Sequence, residues 1–460
     1  MAAFRLGSKA TDVDMTQGSI LRHILVFAFP LLLGNLFQQL YNTVDIWVVG
    51  NYVSNEAFSA VGAVTPIVNM LIGAFSGLAS GAGVVISRFY GAGDKEKVSH
   101  AVHTAMVLTG ILAVGFTILG IFATPFLLDM MNLHMDARDE ATIYLNIYFS
   151  GIVGLMFYNM GAGILRAVGD SRRPFYFLVV CALLNTTLDL VFVLSPAFNM
   201  GVAGVALATV LSQGVSAILV IITLLRTQSC VQVKPRQLRM HKAALGKILL
   251  LGIPAALQMA VTAFSNIFVQ SYISHFDQGL ASPDYMSGWT AYIKIDQLLF
   301  LPKQSISLAV TTFVGQNLGA NQIKRAKKGV TRALLLALGC TAFLMIPVLF
   351  FAPQIVGFLN GKPEVIKTAT LFIYTLTPFY VLCAFNQVYA CALRGGGNAI
   401  IPMVMMLSSF VAFRQVYLFI MSRVCNEIIP ISLSYPAGWL LCSLLTGGYY
   451  YLSTREKKAK

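Results

Sequence analysis

The sequence predicts an all-α membrane protein with twelve transmembrane helices in two pseudo-symmetric six-helix lobes. Three observations lead to this prediction: the composition, the number of apolar runs and an internal repeat. Of the 460 residues, 57% are hydrophobic and only 11% are charged, whereas an ordinary soluble domain has about 25% charged residues. This scarcity of charge predicts a chain that crosses the bilayer many times.

The apolar runs give the number of spans. A bilayer core of about 30 Å takes roughly 20 helical residues to cross. Runs of sufficient length lie near residues 22–53, 57–87, 99–128, 141–165, 174–195, 201–226, 245–275, 286–316, 329–353, 366–392, 400–422 and 430–453. Six spans per half is an even number, so the second half re-enters the membrane with the orientation of the first.

The two halves are related by a repeat at a fixed offset of 228 residues. ILRAVGDSRRP (Ile164 to Pro174) recurs as ALRGGGNAIIP (Ala392 to Pro402). Likewise, GAGDKEKVSHAV (Gly91 to Val102) recurs as GANQIKRAKKGV (Gly319 to Val330). Duplicated helical bundles of this kind are typical of secondary transporters.

The basic residues predict the orientation. Lysine and arginine are retained on the cytoplasmic side, and placing both termini there puts most of the 32 basic residues in cytoplasmic loops. The predicted domains are an N-terminal cytoplasmic segment (1–19), an N-lobe (20–226), a cytoplasmic linker (227–244), a C-lobe (245–453) and a basic tail (454–460). The net charge of +14 then faces anionic lipid of the cell membrane, and no nucleic-acid partner is expected.

Two acids in the first half mark a candidate cation site. Asp45 lies in the first span and Asp189 in the fifth, and ionisable groups inside spans face the bundle interior or a water-filled cavity. Asn185 precedes Asp189 by one helical turn, while Gln38 and Tyr41 share a stripe with Asp45. Oxygen ligands of this kind suit Na⁺ or H⁺. The structural alternative is that Asp45 caps a helix end and Asp189 bonds a neighbouring helix.

The second half carries charges of both signs. The charges predicted to be buried there are Lys294, Asp296 and Lys303 in the eighth span and Arg414 in the eleventh. Asp296 and Lys303 are seven residues apart on one helical face, so mutual neutralisation is the default prediction. A role in gating or proton handling is the alternative.

Two prolines and a set of polar or adaptable side chains complete the candidate residues. Pro30 and Pro254 occupy matching places in the first spans of the two halves, where they act as plain kinks or as hinges for alternating access. The side chains predicted to contact substrate are Gln38, Tyr41, Asn159 and Met259.

Other kinds of site are not indicated. The seven cysteines occur singly, without the spacing of a zinc site or a disulfide framework. No metal-binding or catalytic set lies within or beside the spans, so we predict neither an enzyme nor a cofactor. A passive channel is disfavoured because paired buried acids beside prolines suit a binding-and-rocking cycle better than a pore.

At these residues the chain resembles the multidrug and toxic compound extrusion (MATE) family. The resemblance runs from TQGSILRHILVFAFPLLLGNLFQQLYNTVD (Thr16 to Asp45) through ISRFYGAGD and ILRAVGDSRRP to AYIKIDQLLFLP (Ala291 to Pro302) and TTFVGQNLGA (Thr311 to Ala320). It implies the MATE fold, with two six-helix lobes around a V-shaped chamber. The implied activity is cation-driven antiport, in which Na⁺ or H⁺ entry expels small organic compounds that are often cationic or aromatic.

The resemblance also implies a set of cation ligands. The family places an Asp in the first span, an Asn and an Asp in the fifth and a Thr in the sixth, which match Asp45, Asn185, Asp189 and Thr209. One branch carries a glutamate in the seventh span, but Gly252 to Gln270 holds no acid.

The sequence at Lys294 to Asp296 is more similar to the DinF-like branch of the family. A lipid-linked precursor flippase of the same superfold is the alternative function. The acids of the N-lobe argue against it, whereas Lys294, Lys303 and Arg414 would suit an anionic lipid precursor. We expect a monomer whose partners are membrane lipid and a small organic substrate.

Overall fold

A computed structural model describes residues 13–129, 135–196, 198–277, 284–425 and 427–456, and within these residues the chain is helical with no strand. Most of the predicted N-terminal segment and part of the predicted tail lie outside the described residues. In the first half the helices are α1 (Ile20–Tyr52), α2 (Asn55–Gly91), α3 (Lys95–Asp129), α4 (Met135–Ser150), α5 (Ile152–Ala167), α6 (Arg172–Leu194) and α7 (Gly201–Arg226).

The second half repeats this order with more breaks. Its helices are α8 (Lys242–Ser274), α9 (Tyr285–Gly319), α10 (Ile323–Phe350), α11 (Ala352–Leu359), α12 (Pro363–Leu376), α13 (Tyr380–Gly395), α14 (Ile400–Leu407), α15 (Arg414–Val424), α16 (Ile428–Ser432) and α17 (Ser434–Glu456). A π-helical turn at Ser408–Phe413 joins α14 to α15.

The helices confirm the predicted number of spans. In the described residues, eleven spans are long and apolar enough to cross a membrane. The bent pair α4–α5 provides a twelfth, with a 47° bend at a break of one residue, Gly151. Eleven or twelve crossings make this a multi-pass membrane protein.

Helix boundaries and turn geometry repeat at the sequence offset. α5 begins at Ile152 and α13 begins at Tyr380, 228 residues later. The loops that precede α6 and α14 each contain a glycine in the left-handed region, Gly169 with φ of 89° and Gly397 with φ of 83°. Since side chains other than glycine rarely adopt such angles, the two halves share backbone geometry as well as sequence.

The same two loops also share a helix cap. Asp170 Oδ1 accepts the backbone N–H of Arg173 at 3.1 Å, and Asn398 Oδ1 accepts that of Ile401 at 3.2 Å. A short polar side chain at this position satisfies an N–H group that the first turn of a helix leaves unpaired. The repeat therefore conserves the chemistry that starts the helix.

Two compact units make up the chain. Among the described residues, the first unit contains those within 29–256, 1–15 and 319–321, and the second contains those within 257–318, 322–460 and 16–28. These units differ from the predicted lobes mainly at two helix ends, because Thr16–Ala28 groups with the second unit and Lys242–Ala256 groups with the first. Each of α1 and α8 thus passes from one unit to the other within two residues of its proline.

In the first unit, glycine lets α7 approach the bend between α4 and α5. A Cβ atom on Gly151 would lie only 2.1 Å from Val210 Cγ1, and one on Gly154 would lie 2.9 Å from the backbone nitrogen of Gly214. Helices that lack side chains at their contact pack closely in membranes. This approach brings the bend between α4 and α5 close to the side of α7 that carries Thr209 and Gln213.

Candidate functional site

Two acidic side chains from α1 and α6 meet inside the first unit. Asp45 is 8% exposed and Asp189 is fully buried, and their carboxyl groups lie within hydrogen-bonding reach of each other. Two ionised carboxylates are both acceptors and repel each other, so this contact requires a shared proton or a cation between them. The structure thus brings together the two acids that the sequence singled out.

An amide and a hydroxyl complete the group. Thr209 Oγ1 on α7 donates to Asp45 Oδ2 at 3.3 Å, and Asn185 Nδ2 donates to Thr209 Oγ1 at 3.5 Å. Asn185 is fully buried one turn before Asp189 on α6. The four residues that the family resemblance implied, Asp45, Asn185, Asp189 and Thr209, are therefore neighbours from three helices.

Several oxygens of this group have no hydrogen donor. They are Asp45 Oδ1, both carboxyl oxygens of Asp189 and Asn185 Oδ1, all buried in the described part of the chain. Buried polar atoms are normally hydrogen-bonded, because leaving one unpaired costs about 1–3 kcal/mol. A cluster of unpaired oxygens has the chemistry of a hard-cation or proton site.

A cavity of about 50 Å³ adjoins Asp45. Its walls combine three tyrosines, two amides and apolar side chains; they are Tyr41, Asn42, Asp45, Val68, Ile72, Tyr144, Tyr148, Gly151, Ile152, Leu155, Thr209, Val210 and Gln213. A drug-sized ligand needs several hundred Å³. In this conformation the cavity therefore has room for an ion with a few waters, and an organic substrate requires it to open.

The sequence prediction missed most of the cavity lining, including the polar residues Gln213, Tyr144 and Tyr148. Gln213 Nε2 donates to the Tyr41 hydroxyl at 3.1 Å, and Gln213 is 6% exposed. Tyr144 and Tyr148 on α4 are also buried. The available signal was helical spacing, because Gln213 follows Thr209 by four residues and Tyr148 follows Tyr144 by four, which places each pair on one face.

The predicted substrate residues occupy different places. Tyr41 lines the cavity, and the Gln38 side chain contacts the Tyr41 hydroxyl. Asn159 Oδ1 accepts from Ser76 Oγ at 3.1 Å while its amide donates to the Leu155 carbonyl at 2.9 Å. Met259 belongs to the second unit and is not part of the lining of this cavity.

The two prolines lie inside unbroken helices. Pro30 in α1 and Pro254 in α8 are both buried, and helical hydrogen bonding continues on either side. The helices tolerate the missing backbone N–H group at these positions.

The charges of the second unit do not form the predicted direct ion pairs. Arg414 donates to Ser265 Oγ at 2.7 Å and to Asn266 Oδ1 at 2.9 Å, while Asp296 accepts from the Tyr380 hydroxyl. Among the described residues, neither Arg414 nor Lys303 lies within 4.0 Å of the Asp296 carboxylate.

The expectation that Lys294 is buried is wrong, because its side chain is exposed. It precedes Asp296 by two residues, and residues two apart do not share a helical face.

Eleven or twelve crossings in two duplicated halves, with a buried acid pair beside a cavity, are typical of membrane transporters. The MatE family model matches the chain twice, over residues 30–191 and 254–420. The chain belongs to this family of multidrug and toxic compound extrusion transporters, which are not enzymes. The two matched segments fall in the two halves that the repeat defines.

Known relatives agree with this assignment. The chain is 27% identical over 452 residues to "Probable multidrug resistance protein YoeA" of Bacillus subtilis, covering 96% of each chain. It is 24% identical to "FAD transporter" of Shewanella oneidensis, covering 81% of this chain and 82% of the relative.

A solved structure shows the same fold. A multidrug resistance MATE family transporter in its outward-facing conformation matches with a TM-score of 0.90 at 23% identity, covering 98% of this chain and 100% of that one. These comparisons confirm the predicted fold class and favour an efflux transporter over a flippase.

Proposed function

We propose that the protein is a secondary antiporter that couples Na⁺ or H⁺ entry to the efflux of small organic compounds, often cationic and aromatic. The observation that supports this most directly is the cluster of donor-free oxygens on Asp45, Asp189 and Asn185 beside the cavity. Such a cluster in a membrane interior attracts positive charge, because in the described part of the chain no basic side chain forms an ion pair with Asp45 or Asp189.

The ion and the substrate compete for Asp45, and this competition couples ion entry to substrate efflux. Asp45 reaches both the oxygen cluster and the cavity wall, so an ion at the cluster neutralises the charge that would hold an organic cation. The tyrosines of the cavity, Tyr41, Tyr144 and Tyr148, offer ring faces that attract organic cations. Ion binding from outside then weakens the substrate's hold and releases it.

The direction of transport follows from the orientation of the chain. We place both termini in the cytoplasm of a cell-membrane protein, with the basic linker on the same side. A potential of 100 mV, negative inside, contributes about 2.3 kcal/mol per charge that enters. This corresponds to roughly fiftyfold concentration of an uncharged substrate outside, before any ion gradient is added.

The prolines supply bending points for alternating access. Pro30 and Pro254 lie next to the positions at which α1 and α8 pass from one compact unit to the other. A helix bends most easily at a proline, so motion between units would concentrate there. One chain holds the whole proposed site, and a monomer is sufficient for transport.

Transport in proteoliposomes tests the proposal. Efflux of ethidium, an aromatic organic cation, would be driven in turn by a Na⁺ gradient and by a pH gradient. We expect one of the two to drive efflux in the wild type and neither to do so in Asp189→Asn, which keeps the side chain's shape.

Asp94→Asn is the matched control, since Asp94 forms an exposed pair with Lys97 outside the spans. It should transport normally. Undiminished gradient-driven efflux by a folded Asp189→Asn variant would exclude the proposed site.

A further inference from the structure

Lys303 buries its ammonium group in the second unit without a hydrogen-bond acceptor. Its side chain on α9 is 1% exposed, and in the described residues Nζ has no hydrogen-bond partner. Two aromatic faces surround it instead: Nζ lies 4.1 Å from the ring centre of Tyr380 and 4.9 Å from that of Phe300. Ring faces attract a cation, and more strongly when it is desolvated.

Tyr380 links this cation to the nearest acid. Its ring receives the ammonium of Lys303 while its hydroxyl donates to Asp296 Oδ1. The Tyr292 hydroxyl lies 3.0 Å from the Tyr380 hydroxyl and extends the chain of polar groups. Asp296 and Lys303 are about 10 Å apart along α9, so Tyr380 spans the gap between opposite charges that do not touch.

The repeat relates the residues around Lys303 to residues that line the cavity of the first unit. At the offset of 228 residues, Asp296 corresponds to Val68, Phe300 to Ile72 and Tyr380 to Ile152. Val68, Ile72 and Ile152 all line the first unit's cavity. The first unit thus has an ion-sized space where the second unit has the end of the Lys303 side chain.

We propose that the second unit contains a monovalent-cation site that the chain fills with its own ammonium group. Lys303 takes the place of a free cation between the rings of Tyr380 and Phe300, and Tyr380 links it to Asp296 and Tyr292. While Lys303 is present, the second unit binds no coupling ion, and cation binding is confined to the first unit. The inference concerns a site separate from the one proposed for coupling.

The other charged groups nearby support this assignment. Arg414 is engaged by Ser265, by Asn266 and by the ring of Tyr435, 4.8 Å from its guanidinium carbon. Among the described residues, this leaves Lys303 as the cation nearest Asp296. Truncating Lys303 would leave a partly buried carboxyl, two hydroxyls and two ring faces around the space that its side chain fills.

Chemical replacement of the amine tests the proposal. The variant Lys303→Ala would be prepared in the Asp189→Asn background, which silences the site of the first unit, and titrated in detergent with n-propylammonium chloride and with NaCl. Binding would be followed by calorimetry and by the melting temperature. We expect saturable binding of at least one of these cations, roughly tenfold or more tighter than in the Asp189→Asn parent.

Two controls identify the ligands. Lys294→Ala removes an exposed lysine of the same helix and should create no cation binding. Adding Asp296→Asn to Lys303→Ala should abolish the new binding. A folded Lys303→Ala variant that binds neither cation more tightly than the parent would overturn the proposal.

If Lys303→Ala does not fold, Na⁺ binding by proteins that keep Lys303 tests the proposal instead. Cation binding by the wild type, measured with radioactive sodium, should vanish completely in Asp189→Asn. Residual binding that depends on Asp296 would overturn the proposal, because Lys303 would then leave room for a free ion.

Discussion

Thr209 donates its hydroxyl to the Asp45 carboxylate, at 3.3 Å and across 164 residues of chain. The same oxygen receives the amide of Asn185, so Thr209 ties α7 to both α1 and α6 at the donor-free oxygen cluster. If Na⁺ binds there, Thr209→Val removes one oxygen ligand while keeping the side chain's shape. We expect Na⁺ affinity to fall about fivefold, which corresponds to about 1 kcal/mol, measured by calorimetry.

Thr187→Val is the control for this substitution. Thr187 lies on α6, is exposed, and donates only to the carbonyl of Leu183 within its own helix. Thr209→Ser should restore most of the affinity because it restores the oxygen. Equal Na⁺ affinity in wild type and Thr209→Val would show that this hydroxyl is not a ligand.

The Tyr41–Gln213 hydrogen bond should matter for stability as well as for the cavity. Tyr41→Phe leaves the Gln213 amide without its acceptor, and Gln213 Oε1 is already unpaired in the described residues. An unpaired buried polar group costs about 1–3 kcal/mol. We therefore expect a lower melting temperature, with Tyr176→Phe, whose side chain is 49% exposed, as the unaffected control. A Tyr41→Phe variant as stable as wild type would show that this bond contributes little.

Helical spacing predicted much of the site but not its assembly. The stripe of Tyr41 and Asp45 and the pair Asn185 and Asp189 follow from residues three, four or seven apart on a helix. Which helix faces meet depends on packing between helices, and this packing cannot be read from a single sequence. Thr209 came only from the family resemblance, and Gln213 was missed because its spacing of four residues from Thr209 indicates a site only once Thr209 is known to belong to it.

The fold was more predictable than the details of its helices. The repeat and the apolar runs gave twelve spans, since length and hydrophobicity decide insertion into a bilayer. The break at Gly151 and the π-helical turn at Ser408–Phe413 were not predicted. Glycine is common in membrane helices, so Gly151 in the sequence did not indicate a helix break. Its role depends on a contact with Val210 of another helix.

A backbone contact between α2 and α8 should be sensitive to a single methyl group. A Cβ atom on Gly81 would lie 2.3 Å from the backbone nitrogen of Gly252 and 2.4 Å from its Cα. Backbone atoms cannot rotate away, so Gly81→Ala must push the helices apart. We expect a loss of about 1–3 kcal/mol, the usual cost of overpacking, seen as a lower melting temperature.

The control for overpacking is a glycine with free space around it. A Cβ atom on Gly115 in α3 would meet nothing within 4 Å, so Gly115→Ala should be neutral or stabilising by up to about 1 kcal/mol. Similar melting temperatures for the two variants would argue against close packing at Gly81.

The linker between the halves is held to the start of α3 by contacts that acid should weaken. His103 Nε2 accepts the backbone N–H of Lys234 at 2.9 Å, and Thr104 Oγ1 accepts that of His241 at 3.0 Å. The rings of His100 and His241 stack with their centres 3.7 Å apart. The Lys234 and His241 amides are therefore paired while the linker is attached to α3.

Burial, together with the neighbouring His100, Arg239 and His103, lowers the pKa of His241, and only Glu96 opposes this. A released linker returns His241 to the ordinary imidazole pKa of about 6.5. The released state then binds more protons than the attached one, so attachment is strongest above pH of about 6.5 and weakens as the pH falls toward the lower pKa of the attached state.

Hydrogen–deuterium exchange at the Lys234 and His241 amides, corrected for intrinsic rates, should therefore quicken between about pH 7.5 and about pH 5.5. His241→Gln should reduce this pH dependence, whereas His275→Gln, at an exposed position beyond α8, should leave it unchanged. Exchange at both amides that is independent of pH would show that these histidines do not control the linker.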